Sequence, residues 1–300
     1  MSLFNGSAHP LRVGVIGVGV MGQHHARLYA ALPNADLVGV VDVDRPRAEA
    51  VAKRYCCAAF SDYADLLDEP LDAVSIAVPT ALHHEVALAC LGRGIHCLIE
   101  KPLAASMSEC VAINALAARQ GLIVMVGHIE RFNPAVQALK DIIDFGTLGP
   151  ILGVSALRVG PRPPRITDTG IMLDVGCHDI DLLTYLTDKQ ATEVKASATG
   201  PDANHGALAA TIQLEFGLMR PGVVEMSWQY SYKNRRLTVH WEHCEGLLDF
   251  MRQQLIISNT IGATTVPVSR AEPLRRELEA FLEAVQHGGT SPVPGEHSLY

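Results

Sequence analysis

Apolar runs and amphipathic stretches alternate along residues 11–127. The runs at 12–16, 37–42, 72–78, 94–100 and 121–127 are short and rich in β-branched residues, as strands buried on both faces require. Between them lie helical patterns: one that opens after Gly19 and runs through Leu32, where Pro33 and Asn34 end it, and others at 46–55, 81–92 and 106–119. This alternation predicts an α/β fold, a doubly wound parallel sheet of Rossmann type. From Ile151 onward the period changes to two. The stretches ILGVSALRV, ALAATIQLEF, PGVVEMSWQYSY, RRLTVHWE, GLLDF and QLIIS alternate like strands with one exposed face. A late helix at 273–288 carries Leu274, Leu278, Phe281, Leu282 and Val285 on one stripe. In the connecting stretch GHIERFNPAVQALKDIIDFG, Asn133 and Pro134 fit an N-cap and a first helical turn, which Gly146 and Gly149 close. Residues 1–128 are therefore expected to form one domain and 129–300 a second, α+β domain.

Composition narrows the function. A chain of 300 residues has room for two cores. Its net charge of −8 argues against nucleic acid, which needs a basic face. No apolar run approaches the roughly 20 residues of a membrane span. MSLFNGSAHPLR has neither the basic start nor the apolar stretch of a signal peptide and reads as a short polar leader. Seven cysteines with no CxxC read as reduced thiols of a cytoplasmic protein.

Candidate chemistry begins at Gly17-x-Gly19-x-x-Gly22, with Val20 and Met21 inside it. The motif follows a strand, opens a helix, and has Asp42 at the end of the next strand, twenty residues beyond Gly22. That context marks a dinucleotide site. Gly17 permits the turn, Gly19 admits a pyrophosphate, Gly22 lets helix and strand approach, and the helix N-terminus faces the phosphates. Asp42 would accept hydrogen bonds from ribose hydroxyls, which favours NAD; Arg45 is close enough to keep NADP open. Val78, Pro79 and His83 follow a strand at its carboxyl edge, where ligands of parallel sheets bind, and His83 is a candidate to line the cofactor. CLIEKPLA delivers Glu100 and Lys101 to the same edge, so that both are candidates there, with Pro102 stiffening the turn.

RVGVIGVGVMGQHHA, the strand end with Pro79 and His83, EKPLA, VGHIERFNPAV and LDVGCHDIDLL stand in this order along residues 11–295. Together they make the chain resemble the family of glucose–fructose oxidoreductase, inositol dehydrogenase and rhizopine-catabolism proteins. The resemblance implies that Lys101 is catalytic, that Asp174 binds substrate and that His178 is catalytic. It also implies a second domain with an open, mostly antiparallel sheet, which often mediates homo-oligomer formation. Members usually continue into one more helix after a segment like SPVPGEHSLY.

LDVGCHDIDLL holds three aspartates and one histidine. On an unbroken helix Asp174, His178 and Asp181 share a face, and Asp179 points elsewhere. A solvated face, a divalent-metal site and a proton relay all fit that spacing. No second cluster of ligands accompanies it, so a relay is favoured and no metal is expected. In the relay His178 takes a hydroxyl proton, Lys101 stabilises the alkoxide, Asp174 holds a neighbouring hydroxyl and Asp181 orients His178. Two basic groups stand out: Arg158, Arg162 and Arg165, and then Lys233, Arg235 and Arg236. They are either surface charge or a site for a phosphorylated substrate. Arg131 either reaches a ligand or makes a salt bridge between domains. VGHIERFNP with SYKNRRLTV resembles the nucleotide-sugar branch, whose members oxidise the 3-hydroxyl of UDP-N-acetylglucosamine or its uronate. The expected substrate is therefore a UDP-N-acetylhexosamine, with Arg131, Arg162, Arg165 and Arg235 as substrate ligands beside Lys101, Asp174 and His178. A dehydrogenase of a free polyol such as an inositol is the first alternative, and a cofactor-binding regulator without catalysis the second.

Overall fold

The computed structural model of the chain describes residues 9–163, 170–202 and 206–299. It divides into two units: residues 1–127 with 274–299, and residues 128–273.

The first unit runs β1 (Leu11–Ile16), α1 (Val20–Tyr29), β2 (Ala35–Val41), α2 (Arg45–Tyr55), β3 (Ala58–Phe60), α3 (Tyr63–Leu66), β4 (Ala73–Ile76), α4 (His83–Gly92), β5 (His96–Glu100), α5 (Met107–Gln120) and β6 (Val124–Gly127). The strands form a six-stranded parallel sheet in the order β3-β2-β1-β4-β5-β6. Order reverses beside β1, so the carboxyl ends of β1 and β4 mark the switch point where such sheets bind ligands. All four side chains of β4 are buried, as the continuous apolar run requires. Local signals set the helix ends. Ser106 and Glu109 form a reciprocal capping box at α5, and Gly121 closes that helix at φ 65°. Helix α1 ends at Tyr29 rather than Leu32 because Ala31 and Leu32 bond back in tighter turns. The three residues of β3 were too few for the sequence pattern to register.

The expectation that residues 129–300 form one domain is corrected. Helix α8 (Pro273–His287) and the turn after it lie largely in the first unit. Leu278, Phe281 and Leu282 are fully buried, and the Val126 N–H donates to the Val293 carbonyl at 3.0 Å, continuing the bonding of β6. Also buried on α8 is Glu277, whose carboxyl is pushed well above its usual range by burial and then by the charge of Glu100.

The second unit contains α6 (Pro134–Phe145), β7 (Gly153–Pro161), α7 (Cys177–Thr187), β8 (Glu193–Asp202), β9 (Gly206–Glu215), β10 (Gly222–Ser227), β11 (Gln229–His240), β12 (Cys244–Asp249), β13 (Gln254–Asn259) and β14 (Ala263–Val266). Its eight-stranded sheet has the order β14-β13-β12-β11-β7-β10-β9-β8 and is antiparallel except between β7 and β10. Asn133 caps α6 by accepting from the Ala135 N–H at 3.1 Å. Leu139 of α6 and Leu182, Leu183 and Leu186 of α7 join one core with Val154, Ile212, Val224, Leu237, Leu248 and Leu255 of the sheet. Each fully buried leucine contributes on the order of 2 kcal/mol, so α7 is firmly seated.

Candidate active site

The three glycines at the end of β1 play three different parts. Gly17 has φ 87°, and a Cβ there would lie 2.7 Å from the Ala77 carbonyl oxygen. At Gly22 a Cβ would lie 1.8 Å from the Gly17 carbonyl oxygen. Packing therefore excludes side chains at both. Nothing lies within 4 Å of a Cβ built on Gly19, which starts α1 with no side-chain cap. The start of α1 is thus uncapped by any side chain and has open space beside it, as an anion site needs. Val20 is exposed and Met21 half-buried at this mouth.

Asp42 follows β2 and is buried. Its Oδ2 accepts from the Val18 N–H at 3.0 Å and its Oδ1 from the Asp44 N–H at 2.9 Å, which fixes the carboxylate beside the glycine loop. The cation beside it is Arg47, not Arg45. Arg47 reaches Asp42 at 3.1 Å and Asp44 at 2.9 Å, whereas Arg45 pairs with Glu49 at 2.8 Å on the exposed side of α2. The open loop, the uncapped helix and the anchored carboxylate fit a dinucleotide. When bound, its nicotinamide supplies the hydride acceptor.

Two expected cofactor ligands turn inward. His83 is 1% exposed, and its ring nitrogens lie 2.9 Å from the Pro102 carbonyl and 3.0 Å from the Val78 carbonyl. It ties loops together rather than lining the cofactor. Burial pulls its pKa down, against the opposing pull of those carbonyls and of Glu100. Glu100 likewise does not present its carboxylate to a ligand: Oε1 lies 3.1 Å from Nε2 of buried His25. Burial pushes the Glu100 carboxyl up, but the His25 contact and nearby Lys101 outweigh it and leave it below the usual range. Val78 is half-buried and Pro79 exposed after β4, and Lys101 is half-buried directly after β5.

In the second unit the helix is not unbroken. Met172–Gly176 form a π-turn that leads into α7. Asp174 lies in that turn and His178 in the first turn of α7, both half-buried. Such wide turns change the rotational phase of the helix beyond them, which takes Asp174 out of the register expected with His178 and Asp181. Asp181 does not orient His178. Its carboxylate takes the fork of Arg131, with Nε to Oδ2 at 2.8 Å and NH2 to Oδ1 at 2.6 Å. Asp179 is 1% exposed and takes the fork of Arg158, both contacts at 2.8 Å.

Arg131 is therefore not a substrate ligand. It is buried, bidentate to Asp181, and stacked on the Tyr185 ring at 4.8 Å. Arg158 is spent in the same way, with a further contact to Glu130 at 3.0 Å and the Phe250 ring at 5.3 Å. Arg162 is half-buried with its guanidinium 5.2 Å over Trp228. Arg165 lies outside the described residues. Arg235 differs from all of these. Its side chain is 36% exposed, and it stands 3.9 Å from Glu130, at an oxygen that Arg158 already holds. Burial and then the positive charge of Arg158 pull its pKa down, against Glu130, Asp179 and Asp174. Sequence reading missed His25, Glu130 and Arg47. The first two lie inside RVGVIGVGVMGQHHA and VGHIERFNPAV, so a signal for them was there to use. Among the described residues, no three His, Cys, Asp or Glu side chains are grouped to hold a metal, and no helix is long and apolar enough to cross a membrane.

Residues 11–128 match the oxidoreductase family with an NAD-binding Rossmann fold, and residues 136–244 match the GFO/IDH/MocA C-terminal domain. The chain belongs to the GFO/IDH/MocA oxidoreductase family. It is 33% identical over 287 residues to UDP-N-acetylglucosamine 3-dehydrogenase of Acidithiobacillus ferrooxidans, covering 92% of this chain and 88% of that one. It is 35% identical to scyllo-inositol 2-dehydrogenase (NAD(+)) of Bacillus subtilis, covering 95% and 89%. A solved structure of the Acidithiobacillus ferrooxidans dehydrogenase superposes with a TM-score of 0.90 at 32% identity, over 97% of this chain and 94% of that one. These relatives are named dehydrogenases, and this family member is an NAD-dependent oxidoreductase acting on CH–OH groups, which sets aside the reading as a regulator without catalysis.

Proposed function

We propose that the chain oxidises a secondary hydroxyl of a phosphate-bearing sugar, best matched by the 3-hydroxyl of a UDP-N-acetylhexosamine. In this reading His178 removes the hydroxyl proton, Lys101 stabilises the developing alkoxide and Asp174 accepts a hydrogen bond from a neighbouring hydroxyl. The observation that carries the anionic substrate is Arg235, a partly exposed guanidinium whose neighbouring carboxylate is committed elsewhere. Arginine forks match phosphate oxygens. The similarity to UDP-N-acetylglucosamine 3-dehydrogenase supports the same class. The test is a panel of UDP-sugars and free inositols with NAD, read by absorbance of the reduced cofactor. Turnover with the UDP-sugar is expected, and Arg235→Ala should raise its KM about tenfold or more, as loss of a charged hydrogen bond does. Turnover with inositols alone, or a KM that ignores Arg235, would discard the phosphate site. The similarity to scyllo-inositol 2-dehydrogenase keeps a free polyol as the second reading.

Arg47 bears on the second cofactor. It lies 3.1 Å from the Asp42 carboxylate and is exposed, so it offers a 2′-phosphate a partner where Asp42 alone would repel one. Arg47→Ala is expected to weaken NADP binding about tenfold or more while NAD binding stays within about twofold. Titration of each nucleotide against the free protein checks this, and equal losses for both would remove the discrimination. For oligomers, the second sheet exposes Val194, Tyr230 and Tyr232, and a second copy of the chain packed on that sheet would cover them.

A further inference from the structure

Lys101 stands between two residues that buried histidines grip. On one side is Glu100, 3.1 Å from His25 Nε2. On the other is Pro102, whose carbonyl lies 2.9 Å from His83 Nδ1. Each histidine uses its second nitrogen to reach a different part of the sheet. His25 Nδ1 lies 2.9 Å from Ser75 Oγ on β4, and Tyr29 Oη lies 2.8 Å from the same Oγ. His83 Nε2 lies 3.0 Å from the Val78 carbonyl at the end of β4.

The hydrogen bonds can be given a single direction. An ionised Glu100 only accepts, so His25 Nε2 carries a proton and donates. In the neutral ring Nδ1 then accepts from the Ser75 hydroxyl. Ser75 Oγ in turn accepts from the Tyr29 hydroxyl. Tyr29 is fully buried, and its pKa is raised by burial, which keeps it a donor. At His83 both partners are carbonyls, which only accept, so the neutral ring donates to one of them through its single N–H, and only the protonated ring donates to both. The ionisable groups around the two grips are Glu100, Lys101 and Glu277: the charge of Lys101 bears on Glu100, and that of Glu100 on Glu277.

We propose that His25 and His83 are positioning residues for Lys101: they fasten the residues before and after it to α1, α4 and the end of β4, and so fix the backbone from which the lysine is presented. The inference rests on the reading of Lys101 as catalytic. A lysine side chain is long and flexible, so its aim depends on the backbone that carries it. Gly127, paired with Glu100 across β5 and β6, leaves the space this packing needs: a Cβ there would lie 3.2 Å from the Glu100 side chain. The remaining carboxyl, Glu277, supplies burial without a hydrogen bond to either of its oxygens among the described residues.

The experiment uses the full chain and four variants: His83→Leu, His83→Gln, His25→Gln and Tyr29→Phe. Hydrogen exchange over residues 100–104, the dissociation constant of NADH, and kcat and KM for the substrate found in the panel are measured on each. His83→Leu is expected to raise exchange at 100–104 about tenfold and lower kcat about 10- to 100-fold, since small misplacements of a catalytic group cost that much. KM and NADH binding should stay within about threefold of the parent, because the glycine loop and Asp42 are held by hydrogen bonds of their own. His83→Gln should recover part of the loss, since an amide can donate to both carbonyls. Two results would overturn the proposal. One is unchanged exchange at 100–104 with full kcat. The other is a uniform fall of kcat, NADH affinity and melting temperature in His83→Leu and His83→Gln alike, which is the signature of a merely structural residue. Lys101→Ala separates the two readings. Full turnover in that variant removes the catalytic lysine, while exchange at 100–104 in the histidine variants still decides whether the grips hold the turn.

Discussion

His178→Ala is expected to lower turnover by at least ~100-fold, within the range for loss of a general base, while the affinity for NAD stays unchanged. Three other histidines could be offered for the same task, and their surroundings argue against each. His25 and His83 are buried and have both ring nitrogens against protein atoms. His128 is nearly buried with Nδ1 3.5 Å from the Asp181 carboxylate. His178 is half-buried, opens α7, and comes directly after the π-turn that holds Asp174. A general base must be deprotonated, so activity should rise with pH on its acid side, and that limb should vanish from the kcat/KM profile of the variant. Because His178 does not belong to the glycine loop, the NAD dissociation constant is the control that separates lost chemistry from lost folding. Near-normal turnover in His178→Ala would sink the assignment. A parallel loss of NAD affinity would assign the defect to structure instead.

How far the sequence could be read depends on whether the information is local. The glycine loop was legible because each glycine answers a constraint within a few residues: the turn at Gly17, the opening at Gly19, the contact at Gly22. Asp42 was legible because it ends a strand whose neighbour carries that loop. Arg47 was not, since the choice between it and Arg45 depends on where Asp44 caps α2 and which way the first turn then faces. The motif at 173–183 shows the same limit. Its residues suggested Asp174, His178 and Asp181 on one helical face, but the π-turn shifts Asp174 against the other two, Asp181 is taken by an arginine 50 residues away in sequence, and Asp179, expected elsewhere, meets one 21 residues away. No periodicity carries such pairings. They turned Arg131 and Arg158 from candidate ligands into buried anchors of α7, and left Arg235 as a cation with charge to offer. The return of α8 to the first unit was illegible for the same reason. Its apolar stripe was plain, but a stripe does not say which sheet it covers.

The anchors themselves make the second large prediction. Arg158→Ala should destabilise the second unit by about 3–5 kcal/mol, the usual result of breaking a buried ion pair from one side. That is a large share of the ~5–15 kcal/mol that holds an ordinary domain folded. Arg158 serves two carboxylates, Asp179 at 2.8 Å and Glu130 at 3.0 Å, so its loss strands both. Burial alone would pull the Arg158 pKa down, but Asp179 and Glu130 together hold it above the usual guanidinium value. Asp179→Ala should cost less than Arg158→Ala, because Glu130 still neutralises the arginine. Arg235, 3.9 Å from Glu130, can take over only part of the charge in the reverse case. Urea denaturation followed by the fluorescence of Trp228 and Trp241, both in the second core, reads the difference. An Arg158→Met, Asp179→Leu double variant removes both charges of the closer pair and supplies apolar volume. It should recover much of the lost stability, because a buried pair is worth little net of its desolvation. If the double variant is as unstable as Arg158→Ala, the stranded charge of Glu130 dominates. If Arg158→Ala changes the midpoint by less than the error of the measurement, the pair is not an anchor of α7 at all.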